Sequence, residues 1–146
     1  MKRELITFDV AGQVFAIDIM SIREIRAWTP ATRLPHVPHY VAGVVNLRGT
    51  VLPVIDLAAR LGWETLQATP RHAIIVTQID NQLVGLIVDK VSDIVAIEPE
   101  SLQHPPPTTS AGIVPFIEGL AAIDDRMAIV LDLAALVDLQ MQDIAA

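Results

Sequence analysis

The chain has 146 residues, enough for one compact unit burying about two-thirds of its unfolded surface, or for two very small ones. It is 52% hydrophobic and 4% aromatic with no cysteine, so the core is aliphatic, and disulfide frameworks and thiolate metal sites are excluded. A net charge of −7 argues against nucleic acid, whose phosphates demand a basic stripe. The charge is uneven: residues 1–71 hold eight Lys/Arg and six Asp/Glu, while residues 72–146 hold two and eleven. One mildly basic and one strongly acidic end suit oriented protein contacts.

In chain order, the opening MKRELITFDVAG alternates and lacks the apolar core of a signal peptide. Apolar runs such as VGLIV are far too short to span a bilayer, so a cytoplasmic protein with no membrane insertion is expected. Ile6, Phe8 and Val10 share one face before Ala11-Gly12, and Phe15, Ile17 and Ile19 share one after it, which predicts two short strands and a tight turn. Ile19, Ile22 and Ile25, spaced by three, predict a brief helical turn. TPATRLPHVPHY holds three prolines and predicts an irregular loop. Strands follow at 44–47 and 51–55, then a short helix stopped at Gly62, then strands at 73–79, 83–88, 91–97, 117–123 and 127–131. The run EPESLQHPPPTTSAG forbids regular pairing. The closing DLAALVDLQMQDI predicts a C-terminal helix with Leu133, Leu136, Val137 and Ile144 near one face.

About nine short strands with frequent turns indicate small closed or nearly closed barrels. A shift of 76 positions lays GVVNLRGTVLPVIDLAARL, from Gly43, onto GLAAIDDRMAIVLDLAALV, from Gly119. Gly43, Val54, Asp56, Leu57, Ala58 and Ala59 meet identical residues. In each copy a strand ends at an Asp suited to cap a short helix, worth about 1 kcal/mol. The duplication predicts two similar barrels, the first over residues 1–65, the second with the C-terminal helix over 70–146, with ends that can cross over.

The first hairpin carries NLRG at its tip where the second carries the acidic turn Asp124-Asp125. The second hairpin turns without a cation there, so the fold does not require Arg48 to close the first, and Gly49 supplies the positive φ of the turn. Arg48 is then either a solvated tip charge or an anchor for a partner, with Asn46 fixing its rotamer.

No catalytic constellation emerges. A phosphate-cradling GxxxxGK is absent and the glycines are too scattered for a dinucleotide fingerprint. His36 and His39 lie in the proline-rich loop without a nearby carboxylate, and His72 and His104 stand alone. Asp89, Asp93, Asp124 and Asp125 read as turn residues, and Asp56 and Asp132 as caps. The serines lack a nucleophile elbow. No enzyme activity, cofactor or metal is expected.

The run GVVNLRGTVLPVIDLAARLG resembles the signature of CheW-type chemotaxis coupling proteins. FAIDIMSIREI, VGLIVDKVSDIVAI and DDRMAIVLDL extend the resemblance in order over residues 5 to 137. The resemblance implies a mainly β fold of two five-stranded SH3-like barrels packed together, with short helices and a C-terminal helix. It also implies a free-standing, non-enzymatic adaptor that bridges chemoreceptor cytoplasmic tips and the regulatory domain of the histidine kinase CheA. Such an adaptor is monomeric alone and assembles into receptor–kinase arrays beneath the membrane. Carried over by position, the partner-binding residues are Arg48, Asn46 and Gly43, with Ile22, Glu24 and Ile25 bordering a receptor groove and Ile74 and Ile75 lining it. Ring contacts fall on turns and on the loop at 105–110, where PPPTT offers no aromatic anchor. The alternative is a small-ligand-binding or enzymatic β-barrel that uses the cleft between barrels, with Arg48 holding an anionic substrate. A third reading is a purely structural assembly module.

Overall fold

The computed structural model describes residues 2–63, 69–79, 81–107 and 113–137. Among the described residues, ten strands form two antiparallel-rich sheets of five. The first comprises β1 (Arg3–Val10), β2 (Gln13–Asp18), β8 (Lys90–Ile97), β9 (Ile117–Ile123) and β10 (Arg126–Leu131), in the order β8-β1-β2-β10-β9. The second comprises β3 (Ile22–Ala27), β4 (Val41–Leu47), β5 (Thr50–Asp56), β6 (Ala73–Ile79) and β7 (Gln82–Val88), in the order β3-β6-β7-β5-β4. Short helices α1 (Leu57–Arg60) and α2 (Leu133–Val137) follow β5 and β10. The remainder of the expected C-terminal helix, Ile144 included, lies outside the described residues.

Strand alternation gives each sheet two apolar faces. One face of the first sheet gathers Leu5, Val14, Ala16, Ile97, Ala121, Ala128 and Val130 into a single buried cluster. Since both edge strands, β8 and β9, contribute to it, the sheet curls into a barrel around that face. Val45, Leu47, Leu52, Val54, Ile74, Val76 and Ile87 form the interior cluster of the second barrel. The outer faces meet in the largest core, where Phe8, Phe15 and Ile17 pack with Ile55, Ile75, Leu86, Leu133 and Leu136. Fully burying each such side chain contributes about 1.5–3 kcal/mol, so the interface between barrels is as much a core as their interiors.

Residues 19–27 depart from expectation. Only Ile19–Ser21 is helical, a 3-10 turn capped by Asp18, whose Oδ1 accepts from the Met20 amide at 2.8 Å. Ile22–Ala27 is instead an edge strand antiparallel to β6. The three-residue isoleucine spacing arises because a bulge between Ile22 and Glu24 breaks the strand's alternation.

The duplication extends beyond the aligned hairpins. The strand pairings of the two sheets correspond throughout, including the parallel pairs β5–β7 and β10–β2. Asp56 N donates to Tyr40 O and Asp132 N to Phe116 O, both at 2.8 Å, and Tyr40 and Phe116 are 76 positions apart. The isolated bridges Thr32↔Val44 and Gln103↔Leu120 obey the same shift at Val44 and Leu120. Both Asp caps hold: Asp56 accepts from Ala59 N and Asp132 from Ala135 N, each at 3.2 Å. The division at residues 65–70, however, does not follow the sheets. β1 and β2 belong with β8–β10, and β3 belongs with β4–β7. Each barrel takes its first or last strands from across the repeat boundary, because β2 and β7 each pair in parallel with the second strand of a repeat hairpin.

Arg60 breaks the internal symmetry at its centre. Its guanidinium lies 4.5 Å from both the Tyr40 and Phe116 ring centroids, and its Nε donates to Leu136 O at 2.8 Å. One cation thus ties α1 to the Leu136 and Ala135 carbonyls of α2 while lying over two aromatic rings.

Candidate functional site

The β4–β5 hairpin turns through two residues, Arg48 (φ 49°) and Gly49 (φ 87°), between the paired Leu47 and Thr50. Positive φ at both central positions makes it a primed turn, whose twist matches the flanking strands. Asn46 Oδ1 accepts from Gly49 N at 2.7 Å, so the asparagine braces the turn itself and not the arginine rotamer. The arginine is held from β3: Arg48 Nη2 donates to Glu24 Oε2 at 2.7 Å and Nη1 to Oε1 at 3.4 Å. This fork crosses between the two edge strands of the second barrel. The Arg48 side chain remains 70% exposed, against 29% for Glu24.

Glu24 has a pKa below the ordinary carboxylate value, chiefly through the hydrogen bond from Arg48, and Glu24 in turn raises that of Arg48. Arg26 adds a looser contact to Glu24 at 3.8 Å. The pair is therefore ionised across the neutral range. A left-handed backbone at a non-glycine residue is uncommon and costs of order 1 kcal/mol. Its repeat counterpart, Asp124, adopts φ 53°, so the conformation belongs to the hairpin and the cation to this copy alone.

The other expected site residues divide. Ile25 is 44% exposed, on the outer face of β3, and Ile22 is half-buried against the inter-barrel core. Ile74 and Ile75 line no groove: at 1% and 0% exposure, the first belongs inside the second barrel and the second between the barrels. Successive residues of a central strand buried on both faces read in sequence like groove residues. Gly43 is also buried, and its φ of 146° with the Thr32 carbonyl beside it gives it a local structural task. Sequence reading missed Val51, 68% exposed and paired with Asn46 on the outer face of the hairpin. Half-buried Val44 and Pro53 continue that strip. The alternation in TVLPV carries the signal. A cation beside an outward aliphatic strip is what remains of the expected receptor groove.

Between the barrels lies a cavity of about 340 Å³ bordered by Arg3, Asp18, Ser21, Gln78, Glu118 and Asp132. Its acids are engaged: Arg3 bonds both Asp18, at 3.0 Å, and Glu118, which raises the arginine pKa, while Asp132 caps α2. His72 is not alone. Its Nδ1 accepts from Thr69 N at 3.0 Å and its Nε2 faces Asp89 Oδ1 at 3.2 Å, while Asp89 Oδ2 accepts from Ala11 N at 2.8 Å. That chain of bonds links the barrels. Among the described residues no group of three or more His, Asp or Glu is placed to hold a metal ion, and no helix is long and apolar enough to cross a membrane.

Residues 4–141 match the family model described as CheW-like domain. The chain is 52% identical over 134 residues to the "Probable chemotaxis protein CheW" of Rhizobium etli, covering 92% of this chain and 86% of that one. It is 49% identical over 131 residues to the "Chemotaxis protein CheW" of Rhizobium meliloti, covering 90% and 84%. The solved structure of the scaffolding protein TtCheW from Thermoanaerobacter tengcongensis superposes with a TM-score of 0.85 at 34% identity, over 95% of this chain and 90% of that one.

Proposed function

The chain belongs to the CheW-like family of chemotaxis scaffolding proteins, and from that premise we propose that it couples chemoreceptor cytoplasmic tips to the regulatory domain of the kinase CheA, in the cytoplasm at receptor arrays. The observation that carries this reading is Arg48. It is a cation that its hairpin does not need, held out by Glu24 and 70% exposed. The guanidinium keeps donors free on its outward side for a partner's carboxylate or backbone carbonyl, and such charge-assisted bonds are roughly twice as strong as neutral ones. Val51 and Ile25 offer aliphatic contacts of the kind a helical receptor tip uses, on either side of the seam that Arg48 crosses. Single contacts of this size bind weakly, and an array supplies avidity.

Against the ligand-binding or enzymatic alternative stands the inter-barrel cavity, whose carboxylates are paired or capping and whose borders do not include Arg48. A pull-down with the CheA regulatory domain and a receptor cytoplasmic fragment, comparing wild type with Arg48→Ala, tests the proposal. The variant folds and loses at least one partner. Equal recovery of both partners by a folded variant removes Arg48 from the site.

A further inference from the structure

The repeat also exposes a difference between the two barrel mouths. In the second barrel, Leu47, Leu52 and Leu83 pack at the end closed by the Arg48–Glu24 pair. The 76-residue shift relates Leu47 to Ile123, Leu52 to Ala128 and Arg48 to Asp124. Register supplies the rest. Val54 pairs with Gly85, Gly85 with Val76 and Val76 with Glu24; the counterpart chain runs Val130, Ala16, Thr7, Asp93. Asp93 therefore stands where Glu24 stands, and Val14 where Leu83 stands.

Two leucines have become Ala128 and Val14, and a guanidinium–carboxylate pair has become two carboxylates. The first barrel is accordingly open at this end, with a cavity of about 200 Å³. Val14 and Ala128 form its floor, Val95 and Ile123 its walls, and Asp93 and Asp124 lie on the rim. Asp9 and Arg126 also reach the rim; Asp9 has Lys90 at 3.7 Å. The surroundings reinforce the sign. Residues 22–88, which contain the second barrel, carry six Lys/Arg and four Asp/Glu, a balance of +2, leaving −9 on the rest of the chain.

We propose that this mouth is a socket for an arginine side chain presented by a partner protein. An aliphatic floor under an acidic rim matches an alkyl stem ending in a guanidinium. The second barrel displays the same contact internally, with Arg48 forked on the acid equivalent to Asp93. A cation at the first mouth relieves the repulsion between Asp93 and Asp124, neither of which, among the described residues, forms a salt bridge with the rim's own Arg126 or with Lys90, which meets Asp9. The chain's own tip arginine is already engaged on Glu24, which favours an arginine from another protein.

The test is a ¹⁵N NMR titration of the whole chain with N-acetyl-arginine-N′-methylamide, with the neutral citrulline analogue as control. Saturable shifts are expected at Val14, Ser92, Ile123 and Ala128, and none with citrulline. Asp93→Asn/Asp124→Asn weakens the affinity at least tenfold. Val14→Leu, which copies Leu83 and leaves the charge intact, does the same. Two chemically different variants keep the test valid if one of them loses its dispersed spectrum. Shifts scattered over the surface, shared by citrulline or indifferent to both variants overturn the proposal. So does a concentration-dependent dimer in sedimentation velocity that vanishes in Asp93→Asn/Asp124→Asn, since a second copy is then the occupant.

Discussion

Replacing Gly43 with alanine separates a seating role in the hairpin from a role in partner contact. An added Cβ would lie 2.2 Å from Thr32 O and 2.7 Å from Thr32 C, both backbone atoms that cannot swing aside. The segment carrying Thr32 must withdraw. Withdrawal breaks Thr32 N→Val44 O and Val44 N→Thr32 O, both 2.8 Å. Two hydrogen bonds at about 1 kcal/mol each, plus about 1 kcal/mol for an L-residue at φ 146°, give roughly 3 kcal/mol of destabilisation. For a chain of this size that is a fall in Tm of roughly 10 °C. Gly49→Ala is the control, because φ is 87° there and nothing lies within 4 Å of the new Cβ, leaving backbone strain of about 1 kcal/mol. Urea unfolding followed by far-UV circular dichroism measures both. Equal costs for the two variants, or a Gly43→Ala cost under about 0.5 kcal/mol, would refute the reasoning.

The Glu24 carboxyl titrates below its ordinary range in an NMR pH titration and returns to it in Arg48→Ala. Because the folded-state value is depressed, the pair's contribution to stability is present above the unfolded carboxylate pKa and is lost as pH falls through the folded one. An unshifted Glu24 midpoint in the wild type would contradict the fork. Ile74→Ala, inside the second barrel, costs about 2–5 kcal/mol, whereas Ile25→Ala, half in solvent, costs under about 1 kcal/mol in the same unfolding assay. Similar costs would return Ile74 to the surface. Asp56→Ala and Asp132→Ala each cost about 0.5–2 kcal/mol, the buried Asp56 more than the exposed Asp132. The reverse order would undermine the capping assignment.

The sheets and the duplication were legible because alternating aliphatic strands and capping aspartates leave local signals, such as the Gly62 stop (φ 87°) after α1. β3 was not legible. An edge strand bearing Arg23, Glu24 and Arg26, with a bulge, loses the alternation that marks a strand. Sheet membership was hidden too, since parallel pairs such as Ile129↔Phe15 join residues more than a hundred positions apart. At the site, Arg48 stood out because its repeat counterpart is acidic. Its Glu24 brace depends on how the second barrel closes, and no local pattern encodes that. Ile74 and Ile75 were misplaced because two-sided burial and a lined groove demand the same residue types. The pairing of His72 with Asp89 likewise needed the crossover between barrels before it could be seen.

The proposed role of Arg48 is to be presented to a partner and not to hold its own hairpin together. Isothermal titration of wild type, Arg48→Ala and Arg48→Lys against a receptor cytoplasmic fragment and the CheA regulatory domain tests it most directly, with melting curves alongside. Arg48→Ala is expected to lower Tm by no more than the loss of one exposed ion pair, to lose roughly tenfold or more in affinity for at least one partner, and to be only partly rescued by Arg48→Lys, which keeps the charge but not the fork. A folded Arg48→Ala that binds both partners as wild type does would contradict it.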